Sequence, residues 1–221
     1  MRTWLVMAAE AREFSGILES FGPGEPLTSV AAQFAQEVRM RGDRWWLVAN
    51  GPGPRLVEQA LKARMDVDGI INTGYCGALD PSLAIGDLVM WRGAEIPSTL
   101  PHAVGEISST DRVVTTAAEK RRLREQTGAI AAEMEAGAVK KIAAQWALPF
   151  YCVRAVSDTA SDDMPLDFNH YRDSDGRFSL PRIAIAAASR PFTRIPALRR
   201  LEANCKVASE SIGAFFADCR L

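Results

Sequence analysis
The amino-acid sequence predicts an α/β fold, a sheet covered by helices on both faces. Two observations carry this. Short apolar or β-branched runs alternate with segments of helical period, as where residues 3–9 give way to residues 10–21. Turn glycines fall at the ends of those runs, as in Asn50-Gly51-Pro52-Gly53-Pro54 and Gly74-Tyr75-Cys76-Gly77.

Taken in order, residues 3–9 form a short apolar run bounded by charge and read as a buried first strand. Residues 10–21 place Phe14, Ile17, Leu18 and Phe21 at helical spacing, and Gly22-Pro23-Gly24 stops that helix. Strands are predicted near 33–41 and 44–49. The Gly51-Pro52-Gly53-Pro54 turn then opens a helix running to about Met65. The run Gly69-Ile70-Ile71-Asn72-Thr73 is delivered straight into Gly74-Tyr75-Cys76-Gly77, and residues 86–91 read as another strand. Thr116-Ala117-Ala118-Glu119 matches a capping box and opens a helix over 120–126. Residues 135–146 are helical by alanine content and period. Residues 150–156 form a strand ending at Ser157-Asp158. In sheets of this kind ligands sit where strands end and loops begin.

No internal repeat or linker divides the chain, so residues 1–221 read as a single domain. Lys and Arg number 26 against 27 Asp and Glu, a net charge of −1. A protein that grips a phosphate backbone carries a basic excess, which argues against nucleic acid as a partner. Cys76, Cys152, Cys205 and Cys219 are widely spaced, without a CxxC pair or histidine companions. That is neither a disulfide framework nor a zinc signature, and it fits a reducing compartment. Glu10 interrupts the first apolar run too early for a signal peptide, and no stretch approaches the roughly 20 apolar residues that span a bilayer. The expectation is a cytoplasmic protein with no metal or organic cofactor. His102 and His170 are read as structural or exposed.

Charge is uneven near the C-terminus. Six aspartates lie between Asp158 and Asp175 with Arg172 as the one Lys or Arg, and six arginines lie between Arg177 and Arg200 with no acid. One reading is a solvated loop followed by solvated helices. The other is a basic, half-apolar face that makes peripheral contact with a membrane or a partner.

Cleavage of a ribosyl–purine bond makes demands that this sequence can meet. The sugar becomes cation-like as the bond stretches, so a carboxylate gripping the ribose hydroxyls helps. The departing base gathers negative charge and needs an acid. Glu133-Met134-Glu135 sits at a strand-to-helix junction, and Glu135, followed by Ala136-Gly137-Ala138, leaves room for a ligand. A glutamate there also suits the helix dipole alone. Asp158 ends an apolar strand, where burial and the nearby Asp162 and Asp163 favour its protonated form. It would equally serve as an N-cap. The amides of Gly74, Tyr75 and Cys76 can approach a ligand or anion, or form a mere turn, and Arg55 is a candidate anion contact.

Four stretches in this order resemble the nucleoside phosphorylase and nucleosidase superfamily. They are Ile71-Asn72-Thr73-Gly74-Tyr75-Cys76-Gly77-Ala78-Leu79-Asp80-Pro81-Ser82-Leu83, Gly86-Asp87-Leu88-Val89, Glu133-Met134-Glu135-Ala136 and Val153-Arg154-Ala155-Val156-Ser157-Asp158. The resemblance implies a three-layer α-β-α fold with a central mixed twisted sheet, a homo-oligomer, and a small-molecule purine nucleoside derivative as substrate. It implies that Glu135 binds the ribose hydroxyls, Met134 packs on the sugar, and Asp158 donates to N7 of the base with Ser157 orienting it. Glu13 is the better match for the carboxylate that handles the attacking water, with Glu10 as its alternative. Asn72 stands where phosphorylases carry an arginine, which implies water as nucleophile. Arg12 could match a different phosphate-binding arginine. Tyr75 replaces the small residue usual in both branches.

The tail stretches Asp175-Gly176-Arg177, Leu180-Pro181, Ser189-Arg190-Pro191 and Ile195-Pro196-Ala197-Leu198 resemble a hopanoid-associated branch, thought to remove adenine from an adenosylated hopanoid precursor. Three functions follow: a hydrolase acting on an adenine nucleoside derivative, a phosphorylase using phosphate as co-substrate, or a nucleoside-binding protein that has lost turnover. The short connection between Trp91 and Val104 is expected to leave the groove for the 5′ substituent open.

Overall fold
The computed structural model describes residues 1–221. Eleven strands form one mixed sheet. They are β1 (Thr3–Ala8), β2 (Glu25–Pro26), β3 (Phe34–Met40), β4 (Asp43–Ala49), β5 (Gly69–Asn72), β6 (Tyr75–Ala78), β7 (Leu88–Trp91), β8 (Ala103–Gly105), β9 (Ile107–Ser109), β10 (Ala131–Glu133) and β11 (Phe150–Asp158). The main order is β2-β3-β4-β1-β5-β11-β6-β10-β9, and β7 pairs with β11 and β8. Around the centre, β1 is parallel to both β4 and β5, and β11 is parallel to β5 and β6.

Six helices cover the sheet: α1 (Ser15–Phe21), α2 (Pro54–Ala60), α3 (Ala117–Thr127), α4 (Ala136–Gln145), α5 (Leu180–Ala188) and α6 (Pro191–Asp218). The apolar run of β1 is what a strand covered on both faces requires, and its alternation sorts the layers. Trp4, Val6 and Ala8 pack with Ile17 of α1 and with Ala208, Ile212, Phe215 and Phe216 of α6. Leu5 and Met7 pack on the other face with Val57 and Ala60 of α2 and with Val139, Ile142 and Ala143 of α4. Full burial of a side chain such as Ile212 or Phe215 contributes about 1.5–3 kcal/mol over leaving it exposed. The result is the expected three-layer α-β-α arrangement.

Helices α1 and α6 meet backbone to backbone. A methyl group added at Gly213 would lie 2.3 Å from the Gly16 carbonyl oxygen, so only glycine permits this approach. Ser209 fixes the contact, its hydroxyl accepting from the Gly16 amide at 3.0 Å.

Several predicted elements differ in extent. The helix expected over 10–21 is a 3-10 turn at Ala11–Phe14 followed by α1, because the Glu13 carboxylate turns back to accept from the Glu10 amide at 2.7 Å. The helix expected to reach Met65 stops at Ala60, since the chain must turn back to enter β5, and Arg64 holds that turn by donating to the Trp146 carbonyl. The strand ending in Ser157-Asp158 includes both residues, with a register shift where β11 pairs with β6. Thr116 caps α3 as expected, its hydroxyl accepting from the Glu119 amide at 3.1 Å. The Glu119 carboxylate instead accepts from the Thr115 amide, one residue short of a full capping box.

Candidate active site
The C-terminal ends of β1, β4, β10 and β11 and the first residues of β6 open on one cavity of about 850 Å³. Glu13, Glu135, Met134, Ser157, Asp158, Tyr75, Cys76 and Arg12 all line it. Residues 159–178 and helices α5 and α6 close the other side with Met164, Phe168, Leu180, Ile183, Leu198 and Leu201. The volume lies in the upper part of the range for drug-sized ligands, about 300–1,000 Å³.

On one wall, three buried glutamates surround one guanidinium. Arg154 projects from β11 and is fully buried. It donates to Glu133, to the Asn72 side-chain carbonyl and, at 3.3 Å, to Glu135. Glu133 also accepts from the amides of Glu135 and Ala136, each at 2.8 Å, and from the Ser109 hydroxyl. It therefore holds the β10–α4 corner, while Glu135 is held in the cavity by the Gly53 amide at 2.8 Å. This is how the i, i+2 glutamates divide their labour: Glu133 faces the arginine and the helix start, and Glu135 faces the cavity.

Glu13 completes that wall. Its carboxylate accepts from the amides of Glu10 and Tyr75, at 2.7 and 2.9 Å. Gly74 has φ +122°, and a methyl group there would lie 1.8 Å from Glu13 Oε2. Thus Gly74 makes room for Glu13 rather than for a ligand directly, and the Tyr75 amide is already taken. Burial first, then the neighbouring Glu135, pushes the Glu13 carboxyl up to about 8, against the pull of Arg154. Glu135 is pushed up to about 6 by burial and Glu133, with Arg154 opposing. Glu10 is half-buried and pairs with Arg12 at 2.6 Å.

The opposite wall carries Asp158. Its Oδ1 accepts from the Ser157 hydroxyl at 2.8 Å, and its Oδ2 meets Lys120 Nζ at 2.5 Å. Lys120 reaches in from α3 and is 1% exposed. Its ammonium also donates to the carbonyls of Thr159 at 2.6 Å and Asp162 at 3.1 Å. Burial raises the Asp158 carboxyl and Lys120 opposes it. Of the two aspartates expected to raise it, Asp162 adds to the shift, whereas Asp163 is turned to the α3 N-terminus and accepts from the Ala117 amide at 2.8 Å.

Other expected features fall elsewhere. Arg55 does not line the cavity; its guanidinium donates outward to the Ser174 carbonyl at 2.9 Å. Arg12 reaches the cavity edge with its side chain 60% exposed and committed to Glu10. The connection between Trp91 and Val104 contributes nothing to the cavity lining and so does not set its opening. His102 and His170 are exposed. Part of the arginine-rich tail is engaged by the protein itself: Arg177 donates to Asn50 at 3.0 Å, and Arg182 and Arg194 cap backbone carbonyls. No group of three or more His, Cys, Asp and Glu side chains is placed to hold a metal ion.

Two buried charged side chains of the site escaped the sequence reading. Arg154 had a legible signal, an arginine inside the apolar run of β11, which must find partners when buried. Lys120 had none, because it stands among Arg121, Arg122 and Arg124 on a polar helix.

The chain and its fold have counterparts. A curated 5′-methylthioadenosine/S-adenosylhomocysteine nucleosidase from Shewanella piezotolerans is 29% identical over 143 residues, 47% of this chain and 62% of that protein. The chain thus matches less than two thirds of that relative's length. The native structure of futalosine hydrolase from Helicobacter pylori superposes with a TM-score of 0.67 at 16% identity, covering 98% of this chain and 96% of that one. The 5′-methylthioadenosine/S-adenosylhomocysteine nucleosidase of Neisseria meningitidis, in complex with methylthio-immucillin-A, superposes with a TM-score of 0.62 at 22% identity, covering 97% and 100%. At these identities the structures share the fold. The family model described as the phosphorylase superfamily matches residues 6–94 and 92–188, which carry every carboxylate described above. This chain belongs to the phosphorylase superfamily.

Proposed function
We propose that this protein hydrolyses the N-glycosidic bond of a purine nucleoside derivative, with adenine as the expected base. The observation that carries the reading is the convergence of Glu13, Glu135 and Asp158 on one cavity from separate strand ends. Glu135 takes the ribose hydroxyls and stabilises the cation-like sugar. Asp158 protonates N7 of the departing base, with Ser157 orienting it. Glu13, poised near neutrality, takes the proton of the attacking water. Met134 packs on the sugar.

Water is favoured over phosphate by electrostatics. The wall beside Glu13 holds three carboxylates against one guanidinium, and Arg154 is already committed to two of them, Glu133 and Glu135. A phosphate there would meet like charge, while Arg12 at the cavity edge is neutralised by Glu10. Arg12 is the residue whose match to a phosphate-binding arginine favours a phosphorylase.

The apolar side of the cavity, with Phe168, Leu180, Ile183, Leu198 and Leu201, supports a bulky apolar 5′ substituent such as that of an adenosylated hopanoid precursor. Leu180, Ile185 and Phe192, 74%, 72% and 93% exposed, lie in the same tail as Arg182 and Arg190 and support peripheral membrane contact. Cytoplasmic location and a homo-oligomer belong to the same reading.

The test is release of adenine from adenosine, 5′-methylthioadenosine and a bulkier 5′-substituted adenosine, with and without phosphate. We expect release without phosphate, reduced about 10²–10⁴-fold in Asp158→Asn, the usual contribution of a general acid. Release that requires phosphate establishes the phosphorylase. Binding without release from any of the three points to a protein that retains only nucleoside binding.

A further inference from the structure
Lys120 is the one buried lysine in the protein, and all three of its ammonium hydrogens have acceptors. Burying an ammonium beside a ligand cavity is costly unless the charge serves its partner. The partner here is Asp158, at 2.5 Å, with side-chain exposures of 1% and 6%. The same ammonium ties the two following carbonyls, Thr159 and Asp162, so it also fixes the loop that leaves the strand end.

Resting on the reading of Asp158 as the acid, we propose that Lys120 is the positioning residue of the proton donor, whose charge readies Asp158 to give its proton to the leaving base and then neutralises the carboxylate that remains. The step balances. As C1′–N9 breaks, its electron pair enters the purine ring, and the Asp158 O–H bond breaks to form N7–H. Water adds to C1′ and its proton passes to Glu13. Negative charge thus develops on Asp158 during the step, and a cation already 2.5 Å away favours the transition state over the ground state.

The groups that face Asp158 from each packed element are few. Lys120 comes from α3, Ser157 from β11 and Asp162 from the following loop; the thiols of Cys76 and Cys205 come from β6 and α6. Lys120 is the one cation among them; burial and Asp162 favour the protonated acid, the Ser157 hydroxyl opposes them, and the buried thiols carry no charge. Arg200 of α6 lies 3.8 Å from Asp162, on its far side.

The experiment compares wild type, Lys120→Gln, Lys120→Arg and Asp158→Asn. Gln keeps donors for the carbonyls of Thr159 and Asp162 but loses the charge; Arg keeps the charge. Carboxyl 13C NMR, with Asp158→Asn identifying the resonance, follows the titration of Asp158. We expect its midpoint to rise by about one pH unit or more in Lys120→Gln and to stay near wild type in Lys120→Arg. The high-pH limb of kcat/KM for adenine release should move up by the same amount. The value of kcat should fall about 10²-fold with KM little changed, as for loss of an interaction made in the transition state.

A nitrophenyl riboside, whose leaving group needs no proton, should be cleaved equally by wild type and Lys120→Gln. A midpoint unmoved in Lys120→Gln overturns the proposal, as does an equal loss on both substrates, which marks a structural role. Base release that survives Asp158→Asn overturns the acid assignment and this proposal together. Loss in Asp158→Asn with unchanged pH behaviour in Lys120→Gln overturns Lys120 alone.

Discussion
The two walls of the cavity solve the problem of buried charge in opposite ways. On the Glu13 side, three buried carboxylates stand near one guanidinium, which pairs with Glu133 and Glu135, so the wall cannot be neutral with every group ionised. It relieves the excess by raising the proton affinity of its carboxyls: Glu13 is pushed up to about 8 and Glu135 to about 6, so Glu13 exchanges a proton near neutrality. On the Asp158 side, one carboxylate meets one ammonium, and the serine hydroxyl beside it adds no charge. The difference teaches how similar side chains acquire different duties. A carboxyl in a crowd of its own kind can accept a proton near neutrality, whereas one paired with a cation is readied to lose its proton.

Removing the cation from the crowded wall should have the largest effect on folding. Arg154→Ala leaves Glu133 and Glu135 buried without their counter-charge and opens a void in β11. Breaking a buried pair in this way costs about 3–5 kcal/mol. Denaturant unfolding at pH 7.5 should show a loss of that order, shrinking toward pH 5 as Glu135, already pushed up to about 6, takes up a proton. A loss below about 1 kcal/mol, the worth of a surface pair, would mean that the wall is solvated and that the contrast between the two sides fails.

The proton held by Glu13 should be visible as a pH slope. Its folded-state value lies above that of the unfolded chain, so its contribution is fully present below about 4.5 and is lost as pH rises towards 8. In that window the unfolded state binds fewer protons than the folded one, and stability falls by at most about 1.4 kcal/mol per pH unit. Glu13→Gln should flatten the change in unfolding free energy between pH 5 and pH 8. An unaltered slope would place the shared proton on another group of the wall.

The sequence made one wall more legible than the other. The Glu133-Met134-Glu135 junction and the Ser157-Asp158 strand end are contiguous motifs, and local order alone put them at strand ends. Glu13 over Glu10 was also within reach, since the choice turns on which carboxylate the short turn at 11–14 folds inward. The rest depended on contacts distant in the chain. Lys120 meets Asp158 across 38 positions, and no periodicity distinguishes it from its arginine neighbours. The outward turn of Arg55 follows from a loop 119 positions away, and the role of Gly74 follows from a carboxylate 61 positions before it. In the fold, strand and helix identities followed from apolar patterning. Their ends moved where a side chain bonded the backbone, as Glu13 does at Glu10.

Ser157 supplies the finest test of the paired wall. Its hydroxyl donates to Asp158 Oδ1 while Lys120 holds Oδ2, so one donor is neutral and the other charged. A neutral hydrogen bond is worth about 0.5–1.5 kcal/mol net. In Ser157→Ala the freed oxygen still borders the cavity, where water or substrate can reach it, so no buried acceptor is stranded. Adenine release in Ser157→Ala should therefore fall by about tenfold at most, far less than in Asp158→Asn, with the high-pH limb of kcat/KM moved only slightly upward. A loss as deep as that of Asp158→Asn would mean that orientation by the hydroxyl, rather than the ammonium charge, prepares the acid, and the two walls would then differ in geometry rather than in charge balance.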